Sequence, residues 1–104
     1  MSINGLFVEG KMLGGRQREK RNNKGYYNEL GLSIEKSDGF GGTLQDQFII
    51  RVTDGLVSSG VLNQANSLIG KTVRVPVYGR SWSMEGRDGI TYFMQNEGGI
   101  TEVK

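Results

Sequence analysis

The residues best suited to chemistry lie in one stretch, RQREKRNNKGYY, residues 16–27. Arg16, Arg18, Lys20, Arg21 and Lys24 set five cations within nine residues against a single acid, Glu19, a local charge of +4. The remaining residues sum to −2, so the net charge of +2 conceals a basic arm on a mildly acidic body. Local field, not net charge, steers a polyanion to a surface. Tyr26 and Tyr27 follow directly. Cations beside rings match the two things that unpaired nucleic acid offers, phosphates and open base faces. A charge run can also lie on an exposed hairpin for solubility while its tyrosines pack on the body. The single sign of this run, its flanking glycines and the aromatic pair favour binding.

A second candidate is YGRSWSMEGRDG, residues 78–89, where Arg80 suits a phosphate. Trp82 suits either a base or a partner subunit. Arg51 and Arg74 fall within expected strands, where they face a groove or pair with Glu29 and Glu35. No basic helix or helix-turn-helix pattern is found, so a flexible single strand fits this chain better than a duplex groove.

The sequence removes most catalytic classes. It has no cysteine and no histidine, which excludes disulfides, thiolate nucleophiles, imidazole bases and Cys/His zinc sites. Residues 65–72, ANSLIGKT, resemble a relaxed phosphate-binding loop. A true one follows a buried strand and opens a helix, whereas this segment follows helical spacing and opens a strand. Asp38, Asp46, Asp54 and Asp88 sit near expected turns, where aspartate serves the backbone. A magnesium-dependent nuclease built from them is the minority reading. A non-enzymatic binder is expected, with no cofactor, no metal and no small-molecule substrate. The opening MSINGLFVEG lacks a signal-like pattern, and no apolar run approaches membrane-spanning length, so a cytoplasmic protein is expected.

These residues must be positioned by short strands. Leu6 to Met12 alternates loosely and is bent or ended by Gly14 and Gly15 before a basic loop. From Tyr26 to Glu35, Tyr27, Glu29, Gly31, Ser33 and Glu35 share one face, and Tyr26, Asn28, Leu30, Leu32 and Ile34 the other. Residues 44–52 form a third strand. Val61, Leu62, Ala65, Leu68 and Ile69 have helical spacing, with Ser58 or Ser59 as a start and Gly70 as an end. Lys71 to Tyr78 returns to period two, Pro76 suggesting an edge or a bulge. A polar loop then leads to a fifth strand at residues 90–94. This order predicts one domain over residues 1–104, all-β, a five-stranded OB-fold-like barrel with a short helix between strands 3 and 4.

With that order in place, the chain resembles the filamentous-phage gene V type single-stranded DNA-binding proteins. RNNKGYYNELGLSIE, FIIRVTDG and TVRVPVYG carry the resemblance, with the late polar hairpin and its central aromatic. It runs from about Arg16 to Val103. It implies a homodimer that coats a strand cooperatively during phage replication, in the host cytoplasm. It further implies that Arg16, Arg21 and Tyr26 contact the strand, that Trp82 reaches DNA across a neighbouring subunit, and that Arg80 assists. The basic wing and the late hairpin are longer than the family pattern, and the helical segment is added. RNA would satisfy the same chemistry, since no residue pattern senses a 2′-hydroxyl. A protein-interaction β-barrel is the reading from another class.

Overall fold

A computed structural model describes residues 5–21 and 25–104. Its elements are β1 (Leu6–Glu19), β2 (Tyr26–Ser37), β3 (Thr43–Val52), α1 (Asp54–Ser58), α2 (Val61–Ser67), β4 (Thr72–Met84), β5 (Arg87–Met94) and β6 (Thr101–Glu102). The strands run in the order β1-β2-β3-β5-β4, and β1 pairs with β4 to close a five-stranded barrel. All ladders are antiparallel except β3–β5, where Arg51 stands opposite Phe93. The short β6 extends β4 at Val73 and Arg74.

Alternation writes this barrel. Val8 and Met12 of β1, Leu30 and Leu32 of β2, Ile50 and Val52 of β3, Val73, Val75 and Val77 of β4 and Met94 of β5 point inward and are buried. The barrel end is closed by α2, whose Val61 and Ala65 join the same core. Truncating one of the fully buried large residues to alanine costs about 2–5 kcal/mol, so this interior fixes the register of every outward side chain.

Several expectations change. β1 does not stop at Met12. Its register shifts between Met12 and Gly14, and it then continues through Arg16 and Arg18 to Glu19. The basic segment is therefore largely strand and not loop, with Lys20 donating its backbone N–H to the Gly25 carbonyl. The reason is α2. A Cβ on Gly15 would lie 2.9 Å from the Leu62 side chain and 3.2 Å from its backbone, so only glycine lets the helix pack against β1. The late polar hairpin is present as expected, but its strands run to the tip, turning only at Glu85 and Gly86, both at positive φ as a two-residue turn requires.

Between β3 and β4 there are two helices where one was expected, and neither Ser58 nor Ser59 caps α2. Ser59 Oγ instead donates to the Leu56 carbonyl at the end of α1, while Gly60, at φ 94°, begins α2. Pro76 is fully buried in β4. Its carbonyl accepts from Gln95 N–H on the edge that β6 leaves after Arg74 and β5 joins at Val77, so its missing N–H interrupts no ladder bond. Among the described residues, no helix is long and apolar enough to cross a membrane.

Candidate nucleic-acid interface

Residues opposite one another in adjacent strands share a face. The pairings Arg16–Glu29, Glu29–Arg51, Arg51–Phe93 and Phe93–Tyr78 therefore draw one line across all five strands on the outside of the barrel. One row nearer the wing tip, Arg18 stands opposite Tyr27. Two residues further along β4, Arg80 stands opposite Thr91 and Trp82 opposite Gly89. The result is a track of cations and rings running from the β1–β2 wing to the β4–β5 hairpin.

The wing end is held by Glu29. Its carboxylate is almost fully buried and accepts from Arg16 Nε at 2.9 Å and from Arg18 Nη2 at 3.2 Å. Burial pushes the Glu29 carboxyl up, but the hydrogen bonds and charges of Arg18 and Arg16 outweigh it and hold the carboxyl below its ordinary value. Both guanidinium groups stay half-exposed. Each spends one N–H direction on Glu29, so the rest of each planar fork faces outward, where it can meet a phosphate.

Tyr27 is the second fixed point. The Arg51 guanidinium lies 3.9 Å from the ring centroid, with Arg18 at 5.1 Å and Lys20 Nζ at 5.3 Å. Three cations around one ring make Tyr27 a support for charge. Tyr26, on the opposite side of the strand, is 58% exposed and free to stack. Arg21 is exposed on the turn beyond the strand, and Lys24 lies outside the described residues.

At the hairpin end the rings dominate. Tyr78 and Phe93 stack with centroids 5.6 Å apart and planes 17° from parallel, and Arg80 lies 5.8 Å from the Phe93 ring. Trp82 lies flat on its own hairpin: a Cβ at Gly89 would come within 2.6 Å of the indole. One indole face thus rests on backbone while 46% of the residue stays exposed. Arg51, Arg80, Trp82, Met84, Thr91 and Phe93 line an open cavity of about 380 Å³.

Of the expected residues, the structure brings Arg16, Arg18, Lys20 and Tyr27 together at one end of the track and Arg80 and Trp82 at the other. Arg51 and Phe93 join the two ends. The ambiguity over the strand arginines resolves by partner: Glu29 takes Arg16 and Arg18, leaving Arg51 on Tyr27, while Arg74 pairs with Glu9 at 2.9 Å on the other side of the barrel. Phe93 was missed because ITYFM reads as a core strand until the parallel β3–β5 pairing sets its neighbours. Its parity with Thr91 is the one signal that separated it from the inward Met94.

The model of the family described as Putative Gamma DNA binding protein G5P matches residues 2–104. This chain belongs to that family. Its G5P relative from Enterobacteria phage I2-2, named DNA-binding protein G5P, is 47% identical over 100 residues, covering 96% of this chain and 92% of the relative. The expected family resemblance is thereby borne out. Among solved structures, one described as Plasmodium falciparum SSB complex with ssDNA superposes with a TM-score of 0.54 at 15% identity, covering 100% of this chain and 97% of that one. At that identity the likeness concerns the fold, and it bears out the OB-fold barrel.

Proposed function

We propose that this G5P-family chain binds single-stranded DNA without strong sequence preference. It holds phosphates with Arg16, Arg18, Lys20, Arg21, Arg51 and Arg80, and bases on Tyr26, Phe93 and Trp82. The observation that carries this reading is the line across the barrel in which Arg16 and Arg51, bridged by Glu29, lead directly to the Phe93 and Tyr78 rings, so that phosphate-type and base-type partners adjoin on one face. Lys24 belongs to the same basic segment by sequence. In this reading the protein coats or sequesters a replicating strand in the host cytoplasm as a homodimer, and family membership supports that part.

Trp82 is the only tryptophan, so its fluorescence reports one end of the track directly. Titration with oligo-dT should quench it, with the logarithm of the apparent affinity falling linearly with log salt. No quenching and no binding at low salt would overturn the proposal. A parallel titration with oligo-U separates DNA from RNA, and size exclusion with and without oligonucleotide tests the dimer.

A further inference from the structure

The outer face does not end at Arg16. One row towards the bulge, Gly14 of β1 stands opposite Gly31 of β2, which stands opposite Ile49 of β3. These positions and Leu13, Gln47 and Asn66 surround a cavity of about 190 Å³, with Arg16 at its rim. Its floor is glycine, so no side chain fills it. Leu13 is 43% exposed although apolar, and Ile49 is half-buried opposite it. Asn66 Oδ1 accepts from the Gly15 backbone N–H at 3.0 Å, which fixes the amide and turns its NH₂ group away from that bond. Gln47 adds a second exposed amide.

We infer that this cavity is a subsite for one nucleobase of the bound strand, with Leu13 and Ile49 against the base and the Asn66 and Gln47 amides at its polar edge. The inference rests on the single-strand reading above and deepens it. A slot with bare backbone below, aliphatic carbon beside and amide groups at the edge suits a flat heterocycle with a polar rim. Gly14 and Arg16 are two strand residues apart, about 7 Å. One nucleotide can therefore place its phosphate on the Arg16 fork and its base in the cavity. A free phosphate or an extended peptide matches only part of this set. The phosphate leaves the aliphatic pair unused, and the peptide finds no free strand edge, because β2 and β3 are paired with each other here.

Gly31 gives a clean test. It lies outside the positive-φ set, and a Cβ built on it meets Leu13 at 3.6 Å and Gln47 at 3.9 Å, which is ordinary contact inside the cavity. Gly31→Ala should therefore fold with an unchanged Tm, and Gly31→Val should fill the slot further. Anisotropy titrations use end-labelled oligo-dT and the same backbone made abasic. The inference expects Gly31→Val to bind oligo-dT about five- to tenfold more weakly, Gly31→Ala to fall between it and wild type, and both to bind the abasic strand like wild type. The salt slope should not change, because no phosphate contact is lost. Equal losses on both strands, or no loss on oligo-dT, would overturn the subsite. If wild type binds neither strand, it is the single-strand reading that has failed.

Discussion

The β1–β2 wing and the β4–β5 hairpin lie at opposite ends of one track and are built on opposite principles. The wing carries cations already committed to partners. Glu29 holds Arg16 and Arg18, and Tyr27 gathers Arg18, Lys20 and Arg51. The hairpin carries rings held by other rings and by backbone, with Arg80 as its cation on the track. Order is imposed on both, by ion pairing in one and by packing in the other. Binding should therefore divide into a strongly salt-sensitive part at the wing and a part at the hairpin that depends mostly on stacking, with Arg80 alone adding to the salt slope there.

The strongest attack on that division removes both wing arginines. Arg16→Ala with Arg18→Ala deletes two phosphate partners and leaves the buried Glu29 carboxylate facing the strand unpaired. Affinity for oligo-dT at low salt should drop by about a hundredfold, and the slope of log affinity against log salt should flatten by up to about two. An unflattened slope would place the phosphates elsewhere. Adding Glu29→Gln should restore Tm lost in the double variant without restoring the slope, because it removes the stranded charge and supplies no cation.

The complementary attack is on the rings. Trp82→Ala and Phe93→Leu each should weaken binding by about 1–3 kcal/mol, read by anisotropy of a labelled oligonucleotide, with the salt slope kept. A flattened slope in either variant would join the two ends into one electrostatic site and end the comparison. Tyr26→Leu should show a smaller loss of the same kind. That ring is well exposed, so Tm should hold, and a variant that unfolds would make Tyr26 a structural residue.

The two ends also differed in how far the sequence exposed them. The wing was legible because its signal is local: five cations and two rings within twelve residues need no fold to be adjacent. The barrel order was legible because alternation survives in each strand separately. Three things were not. Gly14 and Gly15 look like a strand terminator, and only the approach of Leu62 shows that they are a bulge making room for α2. The extent of the strands in the late hairpin, residues 79–89, was hidden, because both of its faces project beyond the core and alternation had nothing to mark. Arg51 and Phe93 are forty-two positions apart and meet through one parallel pairing, which no local pattern encodes.

The smallest expected effect is also the sharpest test of how the wing is ordered. Glu29→Gln keeps the shape of the side chain and removes its charge. If Glu29 serves to aim Arg16 and Arg18, the variant should bind oligo-dT slightly less well at high salt, where aim matters most. At low salt it should bind as well or better, because the two guanidinium groups no longer share a carboxylate, and its salt slope should steepen by up to about one. Stability provides an independent readout. The folded carboxyl sits below its ordinary value. Its contribution is therefore fully present above the unfolded carboxylate value and is lost as pH falls through the depressed folded one. Wild-type Tm should fall across that acidic window relative to its neutral value, and Glu29→Gln should show less of this fall while starting lower at neutral pH. Parallel acid profiles for the two proteins would mean that the ion pairs seen at 2.9 and 3.2 Å contribute no net order to the wing.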